Sequence, residues 1–124
     1  MVEPLDKGPL DPLAVWEEKR EAGLKFDDGK PAMSLLDPYA MEQLSRVLSF
    51  GAKKYESWNW AGGIAYSRLI SAALRHIFAF LRREDTDPES GLPHLAHALC
   101  CLMFCLSMTQ RRPDLDDRGP ALPG

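Results

Sequence analysis

Residues 67–97 read SRLISAALRHIFAFLRREDTDPESGLPHLAH, and the two apolar segments in this stretch specify the architecture. Between Leu69 and Leu81 the only polar side chains are Ser71, Arg75 and His76. A helix that is apolar nearly all round is buried on most of its sides. Four acids follow this segment, and a second apolar segment then opens with His94 and His97. Polar groups this dense between two helices that favour burial indicate a functional site.

The helical pattern extends over most of the chain. We predict a first helix from an Asp37 N-cap to about Gly51, with Pro38 in its first position. A second helix, capped by Ser67, is predicted to end near Arg83, and a third to span about residues 93–108. Alternating strand patterns are essentially absent. The fold class expected is therefore all-α, a small helical bundle.

Length and composition favour one globular domain. The chain has 124 residues, 45% of them hydrophobic and 27% charged, with a net charge of -3. A chain with this net charge has no overall positive electrostatic potential, so we expect no nucleic-acid polymer as a partner. The three cysteines lie within six residues of one predicted helix, which is a poor disulfide set and favours a reducing cytoplasm: Cys100, Cys101 and Cys105.

We divide the chain into three parts. Residues 1–24 are expected to be a flexible or partly helical arm, residues 25–110 the all-α domain, and residues 111–124 a disordered tail rich in Pro, Asp and Gly. The N-terminus shows no signal-peptide pattern. The apolar run from Leu99 to Met108 is too short to span a bilayer, so no membrane partner is expected. The apolar surface of two such helices is larger than the rest of the chain can cover. This predicts a homo-oligomer, a dimer or tetramer.

Arg75 and His76 lie in the middle of the most apolar helix. Burial of an unpaired charge costs roughly several kcal/mol of desolvation free energy, so a buried Arg75 needs an anionic partner. Its forked donors suit a carboxylate of the protein or a phosphate of a ligand, and both alternatives stay open. His76 taken alone is more often a core histidine than a ligand.

The acidic turn is a candidate metal site. Glu84, Asp85 and Asp87 follow a helix C-terminus, where acids are mildly unfavourable without a cation. Mg²⁺ (or Mn²⁺) would offset their repulsion, whereas the alternative is a solvated loop. His94 and His97 share a helix face and would be partners of this metal or proton carriers. A zinc site that adds Cys101 is a further alternative.

A basic and aromatic loop supplies groups that suit a nucleotide. Lys53 and Lys54 offer ammonium groups for phosphates, while Asn59 and Trp60 offer an amide for a base edge and a face for stacking. Lys30, after an Asp-Gly turn, is a further cation. The alternative is a surface loop that a tryptophan anchors to the core.

Four segments together resemble a bacteriophage and prophage family of dATP/dGTP diphosphohydrolase-like proteins. They are FDDGKP (26–31), GAKKY with NW (51–55 and 59–60), LRH (74–76) and EDTDPESGLPHLAHA (84–98). The similarity covers about residues 25–108. The family is loosely related to the MazG-type all-α pyrophosphohydrolases, which cut a nucleoside triphosphate between the α- and β-phosphates. Those enzymes hold Mg²⁺ with acids on facing helices, whereas in this sequence the acids lie in the turn between them.

The resemblance implies a Mg²⁺-dependent hydrolase that converts dATP or dGTP to the monophosphate and pyrophosphate, in the host cytoplasm if a phage encodes it. In that role His94, His97 and Arg75 are the catalytic candidates, and Glu84, Asp85 and Asp87 the metal ligands. Substrate binding is assigned to a larger set: Lys30, Lys53, Lys54, Asn59, Trp60, Arg75 and His76. The alternative is a non-catalytic protein that sequesters a nucleotide or a host defence signal.

Overall fold

The computed structural model describes Leu24 and residues 26–124, and these residues confirm the all-α fold. Three helices dominate: α1 (Pro38–Lys54), α2 (Tyr66–Leu81) and α3 (His94–Arg111). Short 3-10 helices occur at Met33–Leu35, Asn59–Gly62 and Pro113–Leu115. The described residues contain no β-strand, and the nearest approach to one is an isolated antiparallel bridge between Thr86 and Pro93.

The chain separates into one unit that ends at Met33 and a second unit, Ser34–Gly124. The three α-helices all belong to the second unit. Apart from Leu24, the arm predicted for residues 1–24 lies outside the described residues. In the first unit, Asp27–Lys30 form the predicted turn, in which the Lys30 N–H donates to the Asp27 carbonyl at 2.9 Å.

Helix α1 begins as predicted. The Asp37 carboxylate accepts a hydrogen bond from the Ala40 N–H at 3.2 Å, and Pro38 occupies the first turn. The helix continues past the predicted end at Gly51 to Lys54, because the Tyr55 N–H still donates to the Gly51 carbonyl at 2.8 Å. The extra turn carries Lys53 and Lys54 at the negative end of the helix dipole.

Helix α3 is the central element, since it packs against both α1 and α2. One apolar cluster joins α1 to α3 through Leu44, Val47, Ala96 and Cys100. A second cluster joins α2 to the end of α3 through Tyr66, Leu69 and Met108. The two clusters hold α1 and α2 against α3. The polar residues at the N-terminus of α3 therefore lie between α1 and α2.

The expected Ser67 cap of α2 is wrong. The helix begins one residue earlier, at Tyr66, and the preceding Ala65 makes no side-chain cap. Ser67 lies instead in the first turn, where its N–H donates to Asp117 Oδ1 at 2.9 Å and its hydroxyl donates to the same carboxylate. The end of the chain therefore supplies the anion that the start of α2 favours.

Residues that follow α3, at the start of the predicted tail, contact the helical bundle. Leu115 packs against the second apolar cluster, and Arg112 donates to the Gly62 carbonyl at 3.0 Å. Charged residues of this segment form local ion pairs, Arg112 with Asp114 at 2.8 Å and Arg118 with Asp116 at 2.6 Å. Local pairing lets a charged sequence lie on the bundle.

Apolar side chains remain exposed along two helix faces. On α2 they recur at helical spacing: Ile70, Leu74, Phe78 and Leu81. On α3 the exposed residues are Leu95, Leu102 and Leu106, the last at 73%. The predicted homo-oligomer, which would cover these faces, stays a prediction. Within the described residues, no helix is both long and apolar enough to cross a bilayer.

Candidate functional site

A cavity of about 800 Å³ lies beside α3, which contributes lining residues from His97 to Ser107. The second half of α1, the loop after it, the middle of α2 and the acidic turn also contribute to its wall. Its polar and aromatic lining residues include Lys54, Tyr55, Trp58, Asn59, Trp60, His76, Asp87, Glu89 and His97. This size lies within the range of about 300–1,000 Å³ that is typical of small-molecule sites.

The acidic turn is a closed loop that backbone hydrogen bonds hold in place. The Asp87 N–H donates to the Leu92 carbonyl at 2.9 Å, and the His94 N–H donates to the Asp85 carbonyl at 2.9 Å. Gly91 closes the loop with a φ of +73°, which favours glycine. Asp87 Oδ1 accepts from the Glu89 N–H at 2.8 Å, so its carboxylate is held in one orientation.

Two histidines from different helices meet at the inner end of this loop. His76 Nδ1 of α2 lies 2.8 Å from His94 Nδ1 of α3. The other ring nitrogen of His94, Nε2, lies 3.1 Å from Glu84 Oε2. His94 is buried, with only 6% of its surface exposed, so both ring nitrogens depend on these protein partners.

His97 lies one turn further along α3 and faces the loop. Its Nε2 lies 2.7 Å from Ser90 Oγ and 3.8 Å from Asp87 Oδ2. Its ring stacks on His76 with centroids 4.7 Å apart. Burial lowers the pKa of His97 and of His76, and the neighbouring histidines lower the pKa of His76 further. Neutral imidazoles are therefore favoured at pH 7.

The cavity wall also carries a cation and aromatic rings. Lys54 Nζ lies 2.7 Å from Glu89 Oε2, in a pair whose side chains are both exposed to solvent. Trp60 stacks on Phe104 with ring centroids 4.7 Å apart and packs against the second apolar cluster. Trp58 is 73% exposed and has a φ of +64°, a left-handed conformation that is uncommon for a bulky residue.

The structure brings together about half of the predicted site residues. Those that line the cavity are Lys54, Asn59, Trp60, His76, Asp87 and His97. His94 lies behind His76 rather than on the cavity wall. Trp60 differs from the prediction in one respect: Phe104 already occupies one of its faces.

Arg75 and Lys53 are exposed and do not line the cavity. Each lies next to a residue that does, and consecutive residues of a helix point about 100° apart. The expectation that Arg75 is a buried charge is therefore wrong for the single chain. Lys30 belongs to the separate first unit and is described only within it.

The three predicted metal ligands do not converge. Glu84 bonds to His94 on the side away from His76, and Asp85 is exposed, so only Asp87 lines the cavity. Among the described residues, the group able to hold an ion is His76, Asp87 and His94, whose ligand atoms all lie within 4.8 Å of one another. Mg²⁺ prefers oxygen ligands, and these residues do not build an all-protein Mg²⁺ site. Cys101, the zinc alternative, is not in this group.

The predicted set omitted several residues of the site, among them Ser90, Glu89 and Trp58. Ser90 bonds to His97, Glu89 bonds to Lys54, and Trp58 is the most exposed tryptophan of the cavity wall. The Asp-Pro-Glu-Ser-Gly turn and the Trp-Asn-Trp run are visible in the sequence, but neither indicates which member points inward. That direction depends on how the loops are closed.

Comparison with known proteins identifies relatives of this chain. A family model described as "dATP/dGTP diphosphohydrolase, N-terminal" matches residues 20–118. A protein of Salmonella phage PMBT28 named dATP/dGTP diphosphohydrolase is 43% identical over 104 residues. The alignment covers 82% of this chain but only 36% of that relative, so the chain spans about a third of the relative's length. No solved structure matches the chain.

Proposed function

This chain belongs to the dATP/dGTP diphosphohydrolase family, and we therefore propose that it hydrolyses purine deoxynucleoside triphosphates. The products are the nucleoside monophosphate and pyrophosphate. The activity in the relative's name belongs to a longer protein, so the proposal also depends on what this chain itself contains. The observation that carries it is one cavity with a cation, aromatic rings and a carboxylate–histidine pair.

The cavity wall offers a separate group for each part of a nucleotide. Trp58 presents an exposed ring for stacking on the base, and Asn59 offers an amide for the base edge. Lys54 supplies the positive charge for the phosphates and exchanges its partner Glu89 for a phosphate oxygen on binding. Charge stabilisation of this kind is the main requirement of phosphoryl transfer.

His97 is the group best placed to accept a proton. Burial lowers its pKa, so the ring is neutral at pH 7, and Ser90 holds it at 2.7 Å. In the proposed step, a water oxygen bonds to the α-phosphorus while the bond to the α,β-bridging oxygen breaks. His97 takes the proton of the water, and pyrophosphate leaves with the electron pair.

A divalent cation fits the proposal as a companion of the substrate. Mg²⁺ is commonly bound by one or two carboxylates together with the substrate phosphates. Asp87 and Glu89 both line the cavity, and Asp87 is held by the Glu89 N–H and directed towards His97. These two carboxylates would hold the Mg²⁺ (or Mn²⁺) of the incoming triphosphate, which neutralises phosphate charge when bound.

Hydrolysis can be tested with the purified chain, which is incubated with each of the four deoxynucleoside triphosphates and Mg²⁺. The release of monophosphate and pyrophosphate is measured. We expect turnover of dATP or dGTP, and a loss of at least about 100-fold in kcat in Asp87→Ala. Asp85→Ala is the matched control, since Asp85 is an exposed acid of the same loop and does not line the cavity. A folded chain that releases no pyrophosphate from any of the four contradicts the proposal.

A second function, nucleotide capture without hydrolysis, has one observation in its favour. The three acids expected to hold a metal do not converge, whereas the cationic and aromatic groups do line one cavity. A capturing protein would bind a purine nucleotide in the presence of EDTA. Its affinity would change little in Asp87→Ala, whereas the hydrolase would lose turnover in the same variant.

A further inference from the structure

The two facing histidines, His76 and His94, have no role in the hydrolysis step proposed above, and they lie against the acidic loop. We infer that His76, Asp87 and His94 form a binding site for a divalent first-row transition ion of the Mn²⁺-to-Zn²⁺ series. The ligand atoms would be the two Nδ1 nitrogens and one carboxylate oxygen. Metal binding at this site needs none of the nucleotide chemistry, although its relevance to catalysis rests on the proposed function.

The spacing of the ligand atoms is the first argument. The two Nδ1 atoms are 2.8 Å apart, and His76, Asp87 and His94 each place one ligand atom within 4.8 Å of the other two. Two nitrogens that bind one ion at about 2.0–2.1 Å lie roughly 3 Å apart or slightly more. The rings therefore need to separate by only a few tenths of an ångström, roughly, to admit an ion between them.

The environment of His94 is the second argument. A metal-bound histidine usually donates its other ring N–H to a carboxylate, which orients the ring and fixes the tautomer. Glu84 Oε2 lies 3.1 Å from His94 Nε2 and fills this role, in place of the direct metal ligation predicted for Glu84. When His94 Nε2 carries the proton, its Nδ1 lone pair points at His76. Without an ion His76 Nδ1–H donates to this lone pair, and with an ion both nitrogens bind it.

The chemistry of the ligands decides the class of ion. Two imidazole nitrogens and one carboxylate suit zinc and its neighbours in the first transition series, whereas Mg²⁺ prefers oxygen alone. Three protein ligands leave coordination positions free, as in catalytic zinc sites. His76 and Asp87 also line the cavity, so an ion held at this site is accessible from it.

The test measures binding of the metal alone. The full chain is stripped with EDTA, and Zn²⁺, Co²⁺, Mn²⁺ and Mg²⁺ are titrated separately by calorimetry without nucleotide. We expect one equivalent of Zn²⁺ or Co²⁺ to bind with micromolar or better affinity, and millimolar Mg²⁺ not to displace it. Asp87→Asn and His76→Ala should each weaken binding on the order of 100-fold, and Glu84→Gln about 10-fold.

Two controls keep the inference falsifiable. Asp85→Ala should leave the affinity unchanged, and helical circular dichroism must be preserved in every variant. If His76→Ala does not fold, the near-isosteric Asp87→Asn carries the test.

Equal affinity for Mg²⁺ and Zn²⁺, or no stoichiometric binding of any transition ion, overturns the inference. It is also overturned if binding survives Asp87→Asn but is lost in Cys101→Ser, with a thiolate charge-transfer band in the Co²⁺ spectrum. Binding with no turnover of any nucleotide would support the metal site and contradict the hydrolase alone.

Discussion

Lys53 and Lys54 are neighbours in the sequence, yet they have different positions relative to the cavity. Only Lys54 lines it, where its Nζ lies 2.7 Å from Glu89 Oε2. If Lys54 binds phosphate, Lys54→Ala should raise the KM for dATP or dGTP roughly 10-fold, the loss of one charge-assisted contact. Lys53→Ala should change KM less than about 2-fold. Equal effects of the two substitutions in initial-rate measurements would contradict the assignment.

Trp58 and Trp60 also separate into two roles. The exposed ring of Trp58 is free to stack on a base, and such stacking is worth about 1–3 kcal/mol. Trp58→Ala should therefore weaken nucleotide binding about 10-fold without a large loss of stability, while Trp58→Phe should retain most of the affinity. Fluorescence or calorimetric titration with dATP and dGTP measures this. Weaker binding in both variants alike would argue against stacking.

Trp60→Ala serves as the comparison, since Trp60 packs on Phe104 and the second apolar cluster. Truncation of a partly buried tryptophan should lower the free energy of unfolding by about 2 kcal/mol, below the value for a fully buried ring. Urea denaturation distinguishes the two tryptophans. A destabilised Trp58→Ala with an unaffected Trp60→Ala would show that Trp58 is the structural ring and Trp60 the exposed one.

At the level of the elements, the start of α2 depends on a residue 50 positions away. Asp117 accepts hydrogen bonds from the hydroxyl and the N–H of Ser67, and these bonds hold the pKa of Asp117 below its usual 3.8. A carboxylate with a lowered pKa contributes stability above its unfolded pKa and loses it as the pH falls through the folded value. The contribution is therefore complete at pH 7.

Asp117→Ala should lower the thermal midpoint by a few degrees at pH 7. The difference between the variant and the natural chain should shrink as the pH is lowered below 3.8, because the natural carboxylate becomes protonated. Thermal melts followed by circular dichroism at several pH values measure both effects. Asp85→Ala, an exposed acid with no side-chain bond among the described residues, should show neither. A constant difference at all pH values would rule out the carboxylate as the cause.

At the level of the whole molecule, the exposed apolar faces of α2 and α3 favour a second copy of the chain as their partner. Ile70, Leu74 and Phe78 recur every fourth residue on α2, and Leu106 of α3 is the most exposed residue of its face. Large contiguous apolar surface is uncommon on monomers. We expect a dimer or tetramer by light scattering coupled to size exclusion, at protein concentrations of tens of micromolar.

Phe78→Glu or Leu106→Glu should shift that assembly towards the monomer, because a buried unpaired charge costs several kcal/mol, roughly. Tyr39→Glu is the matched control, since Tyr39 is 65% exposed on α1, outside both faces. A monomeric natural chain, or dissociation by Tyr39→Glu alone, would contradict this arrangement.

The order of residues alone was enough to predict the all-α class, the three helices and the cap of α1 by Asp37. These depend on local periodicity and on contacts between residues a few positions apart, which one sequence displays. The family resemblance assigned Lys54, Asn59, His76, Asp87 and His97 to one nucleotide site, and these five residues line one cavity.

Which members of each motif meet could be read only from the folded chain. The 2.8 Å approach of His76 to His94 depends on how α2 packs on α3, and the bonds from Asp117 to the start of α2 depend on where the end of the chain lies. Ser90 reaches His97 because a closed loop turns it inward. Neighbours such as Arg75 and His76 diverge because a helix separates their directions by about 100°. Side-chain direction is a property of packing, which the order of residues does not display.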